Sequence, residues 1–490
     1  MDKNISALEP QNVWTNFYGL TRQPRPSKHE EKVRAFLVDF AKKHGIEAEV
    51  DQTGNVIMRK PATPGMENRK GVILQAHMDM VPQKNADKKH DFLTDPIEAY
   101  VDGEWVTADG TTLGADNGMG VAAAMSVLES SNVKHGPLEV LVTTDEETGM
   151  TGAFGLQGGV LKGDILLNLD SETEGELYVG CAGGLDATIR VDLEKENTNN
   201  DMAAFKLSLT GLKGGHSGMD IILGRGNANK LMNRLLVRLR EVDARLASLD
   251  GGSLRNAIPR ESFAVIVLPK AKESGLKTIV DTFLAETKAE LSAVEPDYAL
   301  SCQGTGLPGQ ALTAQATTRL CNLVYGLPDG VIRMSDSMPG LVETSVNMAI
   351  VKLEDKGNAC QGVVSCLLRS SVDTAKEDLA RMMQAVVDLV PGAKAEFSGA
   401  YPGWKPDMDS PILKVMKEVY QKLYGKEPEI MAIHAGLECG LFGGVYKNWD
   451  MISFGPTIVH PHSPDEKVNI ASVKRFWDYL VATLAEIPVK

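Results

Sequence analysis

The chain has 490 residues, of which 43% are hydrophobic and 24% charged, an ordinary globular composition long enough for two or more compact units. A formal net charge of -14 without any offsetting basic stretch excludes nucleic acid as a partner. No apolar run is long enough to span a membrane, the N-terminus lacks the apolar segment of a secretory leader, and the six cysteines are scattered with no CxxC pair, so free thiols and a cytoplasmic protein are expected.

Ser27-Lys-His-Glu30 reads as a capping box, followed by Val33, Phe36, Leu37 and Phe40 at helical spacing. A hairpin with Thr53-Gly54 at its turn joins Glu47–Asp51 to Asn55–Arg59, and the strand Gly71–Ala76 lands on His77-Met-Asp79. Residues 84–115 read as a polar excursion that returns at Leu113-Gly-Ala-Asp116-Asn-Gly118, where an Ala-rich helix begins. The apolar runs Leu138–Thr144 and Ile165–Leu169 end in Asp145-Glu146-Glu147 and in Asp170. Strands alternating with helices predict an α/β unit, a mainly parallel sheet with helices on both faces and ligands beyond the strands' carboxyl ends.

After residue 186 the texture changes to successive βα and ββα elements. They include a long helix carrying Leu231, Leu235, Leu239, Val242 and Leu246, and a strand pair at Ser345–Leu353 and Gly362–Ser370. The turn-rich Tyr401-Pro-Gly-Trp-Lys-Pro406 precedes a return to the first texture. Residues 1–186 and 399–490 are therefore expected to form one discontinuous domain, with 187–398 an inserted α+β domain.

His77, Asp116, Glu147, Asp170 and His462 are candidate metal ligands, with Asp79 and Glu146 as auxiliaries. Singly, each has a plainer reading: Asp116 as a helix cap, Asp170 as a strand-end turn residue, His462 as a loop histidine. Together they change the weighing, because a buried strand tip loaded with carboxylates is costly unless the charges are paired or hold a cation. Two histidines and three carboxylates furnish two tetrahedral sites only if one carboxylate bridges, the arrangement of a metal pair roughly 4 Å apart.

In this order, His77-Met-Asp79, Gly114-Ala-Asp116-Asn-Gly118, Asp145-Glu-Glu147, Asp170, Gly214-Gly-His216-Ser-Gly218 and His462-Ser-Pro-Asp-Glu466 resemble the motif set of the di-zinc exopeptidases. That family includes carboxypeptidase G, the aminoacylases, the carnosinases and bacterial dipeptidases. The resemblance implies two Zn2+ per chain, with Co2+ or Mn2+ as substitutes. Asp116 would bridge, His77 and Asp170 would complete one site, and Glu147 and His462 the other. It further implies Glu146 as general base, Asp79 as the acid that orients His77, and a cis Asp116–Asn117 peptide.

The inserted domain resembles the family's lid. Its implied substrate-binding residues are His216 at the scissile carbonyl, Asn256 and Arg369 towards the substrate's carboxylate end, and Gly436, whose lack of a side chain would let the backbone approach the substrate. For Arg369 a strand-edge salt bridge is the competing reading. Ser217 lacks the Gly two places on that a nucleophile elbow needs, since Met219 stands there. Asp rather than Glu at position 170 resembles the aminopeptidase and dipeptidase branches. The expected reaction is hydrolysis of dipeptides, Xaa-His ones preferred and others tolerated. An N-acyl-amino-acid deacylase, an aminotripeptidase and a non-catalytic metal- or peptide-binding protein are the rivals. A homodimer is expected, with His216 serving its own chain or its partner's.

Overall fold

The computed structural model describes residues 4–357 and 360–490; the first three residues of the N-terminal stretch lie outside it. The chain divides into two compact units: Met1–Gly180 with Trp404–Ala432 and Leu437–Lys490, and Cys181–Gly403 with Ile433–Gly436. Boundaries drawn from sequence after residues 186 and 398 cut through strands of the second unit, Gly183–Leu193 and Ala393–Tyr401.

The first unit is built on an eight-stranded sheet in the order Glu47–Val50, Val56–Lys60, Leu138–Thr143, Val72–His77, Ile165–Asn168, Asp450–Ser453, Glu176–Cys181, Glu429–Ile433. Its centre is parallel: Val72–His77 lies between Leu138–Thr143 and Ile165–Asn168, which in turn pairs with Asp450–Ser453. Antiparallel pairs flank that centre. The three innermost strands are buried along their whole length, which is why they read as unbroken apolar runs rather than alternating ones. The helix Ala115–Glu129 packs against Val72–His77 and is buried almost all round, its small residues admitting neighbours on every side.

Two sequence expectations fail here. Ser27 and Glu30 form no capping box: helix Glu31–Lys43 has no side-chain cap, Ser27 Oγ donates instead to Asp79 Oδ2 at 2.8 Å, and Glu30 Oε1 accepts the Asp145 N–H at 3.1 Å. The 84–115 excursion is not structureless either. It contains the hairpin Ala99–Asp102 and Trp105–Ala108, which joins Lys467–Asn469 and Ile458–Val459 in a four-stranded sheet. Asp102-Gly103 was the available signal, with Gly103 at φ +60 supplying the left-handed turn.

The second unit is built on a nine-stranded sheet in which every described pairing is antiparallel, with two separate two-stranded pairs, Lys195–Asn197 with Gln310–Leu312 and Gly215–His216 with Ala257–Ile258. The two sets of elements inferred from sequence thus merge into one sheet. Helices Ala228–Leu239, Glu273–Leu291, Ala314–Gly326 and Asp373–Asp388 belong to the same unit, and residues from all four contribute to its core. The long helix stops early. Asn227 caps it through Asn229 and Lys230 N–H, and after a short 3-10 turn Asp243 at φ +56 redirects the chain into the strand Arg245–Gly251. Leu246 continued the helical spacing only by coincidence.

Candidate metal centre

His77 is the last residue of its strand, Glu146 and Glu147 open the short helix after Leu138–Thr143, and Asp170 lies just past Ile165–Asn168. The neighbouring parallel strands thus deliver three ligand segments to one end of the sheet, the end where α/β ligand sites form. Asp116 arrives on the first turn of the Ala115–Glu129 helix, where the Asp116–Asn117 peptide is cis. His462 sits between Ile458–Val459 and Lys467–Asn469 with φ +60.

The Asp116 carboxylate stands between two clusters, one oxygen to each. Its Oδ1 is 3.1 Å from His77 Nε2, which is 3.3 Å from Asp170 Oδ1. Its Oδ2 is 3.2 Å from His462 Nε2, which is 3.1 Å from Glu147 Oε2. Glu146 belongs to neither set as tightly, its Oε2 lying 4.0 Å from His77 Nε2.

The donor set fits two borderline cations. Potential ligand atoms of His77, Asp116 and Asp170 lie within 4.8 Å of one another, as do those of Asp116, Glu147 and His462. Glu147 Oε1 is buried with no hydrogen-bond partner among the described residues. The same carboxylates act on the imidazoles. Hydrogen bonds to Asp116 and Glu147 push His462 up to about 11, against opposition from burial. Burial also opposes protonation of His77, yet Asp170, Asp116 and Asp79 together raise it well above the ordinary range. Ligation requires neutral imidazoles, so a cation entering here displaces protons.

Glu146 is shifted the other way from a surface carboxylate. Burial raises it well above the usual range, Asp170, Glu438 and Glu147 add to the rise, and His77 opposes. A carboxylate shifted in that direction holds a proton more readily than a surface one, the property that suits a general base.

A second layer fixes these side chains. Asp79 Oδ1 is 3.3 Å from His77 Nδ1 and accepts the Glu146 N–H at 3.0 Å. Asp79 Oδ2 accepts the Glu147 N–H at 3.2 Å. One carboxylate therefore ties the histidine to the turn bearing both glutamates. Burial would raise Asp79, but its hydrogen bond and charge interaction with His77, then the Glu146 N–H, bring it down to about 2. Asp79 lies two residues past His77, just beyond the end of the strand.

Sequence reasoning missed several supports. Glu466 accepts four N–H bonds, from Leu113, Gly114, Ala115 and Asp116, at 2.8–3.2 Å, and so shapes the turn that presents Asp116. Burial pushes its carboxyl up to about 7, while those N–H donors favour the ionised form. Buried Arg25 donates to the carbonyls of Met78, Asp79 and Gly114. Asn117 Nδ2 donates to Asp170 Oδ1 and to the Leu169 carbonyl. Beneath His77 runs a buried relay. Ser453 Oγ donates to Asn168 Oδ1 at 2.5 Å, Asn168 Nδ2 to Gln75 Oε1 at 2.5 Å, and Gln75 Nε2 to Glu438 Oε2 at 2.6 Å. Glu438 is pushed up to about 7, chiefly by burial.

In the second unit, His216 lies on the short strand Gly215–His216, paired with Ala257–Ile258. Its Nδ1 accepts the N–H groups of Gly218 and Met219 at 3.2 and 3.1 Å, which puts any proton of the neutral ring on Nε2. Burial, then Arg369, holds its pKa below the ordinary value. His216 is thus a neutral Nε2–H donor. Asn256 is exposed, and its carbonyl accepts the Ser217 N–H. Ser217 itself is buried and takes a hydrogen bond from Arg369 Nε at 3.2 Å.

Arg369 is 5% exposed and sits inside the sheet, between Val342–Asp355 and Gly183–Leu193. Among the described residues no carboxylate lies within ion-pair distance of it; its partners are the neutral hydroxyls of Ser217 and Tyr401. The strand-edge salt bridge is therefore not what the structure has. Gly436 lies beside the Tyr401 ring, 3.2 Å from where its Cβ would be.

The chain is 51% identical over 487 residues to the cytosol non-specific dipeptidase of Escherichia coli strain K12, covering 99% of both. Among solved structures it matches aminoacylhistidine dipeptidase from Vibrio alginolyticus at 51% identity and a TM-score of 0.95, again over 99% of each chain. The aminopeptidase PepT of Bacillus cereus shares the fold at 17% identity and a TM-score of 0.64, with 98% and 99% covered. The model of peptidase family M20/M25/M40 matches residues 73–486, and the chain belongs to that family.

Proposed function

We propose that the protein is a metal-dependent dipeptidase that prefers Xaa-His substrates and tolerates others. The observation that carries the reading is Asp116 dividing its two oxygens between a His77–Asp170 pair and a His462–Glu147 pair, with Glu146 beside them at 4.0 Å from His77 Nε2. The dipeptidase names of the Escherichia coli and Vibrio relatives support the substrate class.

His77, Asp170 and Asp116 would hold one cation, and Glu147, His462 and Asp116 a second; zinc suits the mixed nitrogen and oxygen donors, with cobalt or manganese as substitutes. Bound there, divalent cations supply Lewis acidity toward the scissile carbonyl and the attacking water. Glu146 accepts the water's proton and passes it to the leaving amine, a role suited to its raised affinity for protons. Asp79 keeps His77 and the Glu146 backbone in register. His216 donates its Nε2–H to the carbonyl oxygen as charge develops there. Arg369 receives the peptide's terminal carboxylate, which would give a buried guanidinium the anion it lacks within the protein.

The reading includes a homodimer in the cytoplasm. The edge strand Gly330–Met334 supports the former, since Val331, Ile332 and Met334 are 38–41% exposed on it. The word cytosol in the Escherichia coli relative's name supports the latter.

Chelation followed by zinc, cobalt or manganese add-back, with a panel of dipeptides, tripeptides and N-acetyl amino acids, tests the proposal. Turnover of N-acetyl amino acids alone, or of tripeptides alone, would overturn it. Glu146→Ala should retain both metals and lose at least about 100-fold in kcat; unchanged turnover would remove Glu146 from the reaction.

A further inference from the structure

Resting on the reading of Arg369 as the carboxylate receptor, we propose that Tyr401 is a positioning residue that sets the orientation of that guanidinium and thereby selects peptides with a free carboxylate. Tyr401 ends the strand Ala393–Tyr401 and lies opposite Gly184 on the neighbouring strand. Its ring covers that glycine so closely that a Cβ on Gly184 would fall 2.3 Å from Tyr401 Cε1 and 2.6 Å from its hydroxyl oxygen. On its other side a Cβ at Gly436 would fall 3.2 Å from Cε2. Two glycine backbones therefore clamp the ring and leave it little freedom to turn.

From that clamp the hydroxyl accepts Arg369 Nη1 at 3.3 Å, while Ser217 Oγ accepts Nε at 3.2 Å. Each of these partners is neutral, so they orient the fork without neutralising it. The remaining guanidinium N–H groups have no protein acceptor among the described residues, and a carboxylate takes two such groups side by side. An aspartate in place of either hydroxyl would orient the arginine as well but would fill its charge. Ser217 follows His216 directly, so the Arg369 Nε–Ser217 Oγ bond ties the carboxylate receptor to the segment that bears the Nε2–H donor, while the Tyr401 hydroxyl fixes the other side of the fork. A fixed frame of that kind measures the distance from a carbonyl to a terminal carboxylate, and that distance is what separates a dipeptide from a longer chain. The deletion of a single orienting hydroxyl should therefore show in binding and not in the chemical step.

The test uses full-length, zinc-loaded Tyr401→Phe, which keeps the ring over Gly184 and removes only the hydroxyl. Ala-His is the substrate, and L-histidine and L-histidinamide are competitive inhibitors that differ in the carboxylate alone. Expected is a KM for Ala-His raised about threefold to tenfold, the scale of one hydrogen bond, with kcat within about twofold. Inhibition by histidine should weaken by the same factor and inhibition by histidinamide should not. Unchanged KM, or equal weakening of both inhibitors, overturns the role of Tyr401. Ser217→Ala, which removes the other orienting hydroxyl, should show the same selective loss and provides the measurement if the phenylalanine variant does not fold; an unselective effect there also counts against the proposal. Arg369→Met separates the two claims. If it keeps the wild-type preference for histidine over histidinamide, the carboxylate reading fails and Tyr401 falls with it. If it abolishes the preference while Tyr401→Phe preserves it, only the proposal for Tyr401 fails.

Discussion

Replacing Asp79 by Asn tests the idea that one buried carboxylate organises both the histidine and the paired glutamates. Asp79 is 0% exposed and is held at about 2 instead of its ordinary 3.8. At about 1.4 kcal/mol per tenfold, that difference favours the folded state by roughly 2.5 kcal/mol at neutral pH. The sign follows from a depressed acid: the contribution is complete above pH 3.8 and disappears as pH falls towards 2. Asparagine removes the charge and cannot restore the geometry. Both carboxylate oxygens accept backbone N–H bonds, from Glu146 and from Glu147, so whichever way the amide turns its NH2 faces a donor. The expected loss is about 2–3 kcal/mol in the urea unfolding of chelated protein. Zinc affinity, measured by competition with a chromophoric chelator, should fall about 10- to 100-fold, because His77 loses the acceptor that orients its ring. An Asp79→Asn protein with wild-type stability and zinc affinity within twofold would refute the reasoning.

Two further outcomes follow from other parts of the structure. Buried His434, pushed down to about 3 by burial and then by Arg369 and His216, refuses the proton that an unfolded histidine takes up below pH 6.5. It should cost the fold about 2 kcal/mol between pH 6.5 and 5; His434→Gln should flatten that slope in urea titrations, and parallel pH profiles would count against it. In Gly120→Ala the new Cβ would lie 2.3 Å from Asn117 Oδ1 and 2.5 Å from the Leu169 carbonyl, displacing the amide that holds Asp170. About 1–3 kcal/mol of stability and tight binding of one of two zinc equivalents should be lost; two tightly bound equivalents by metal titration would contradict this.

The central strands were legible because they are buried on both faces and end in charge, a contrast that survives in one dimension. The clustering of the candidate ligand residues was legible for the same reason, since each sits where an apolar run stops or a tight turn begins. What failed were inferences from spacing alone. Ser27 and Glu30 have the interval of a capping box, yet the hydroxyl is drawn off to Asp79, an acceptor distant in sequence. Leu246 kept step with a helix that had already ended at Leu239, because a strand begun after a short turn left its next apolar residue on the same count. Local pattern ranks possibilities, and long-range partners choose between them.

The supporting layer was illegible on stronger grounds. Glu466 bonds backbone groups 350–353 positions away, and Glu438 meets Gln75 at a separation of 363; backbone N–H donors leave no mark on the sequence, because nearly every residue carries one. Asp145 shows how such a residue matters without touching the centre. An extended chain through Asp145, Glu146 and Glu147 would send the two glutamates to opposite faces of the sheet. Asp145 instead adopts φ +52 and starts a helical turn, its carboxylate taking the hydroxyls of Thr148 and Thr151 and its N–H anchored on Glu30. Successive residues then differ by about 100° and not 180°. Both glutamates reach the same centre by different distances, Glu147 within 3.1 Å of His462 and Glu146 no nearer than 4.0 Å to His77. The different placement of the two glutamates is therefore a property of the Asp145 turn as much as of the two side chains.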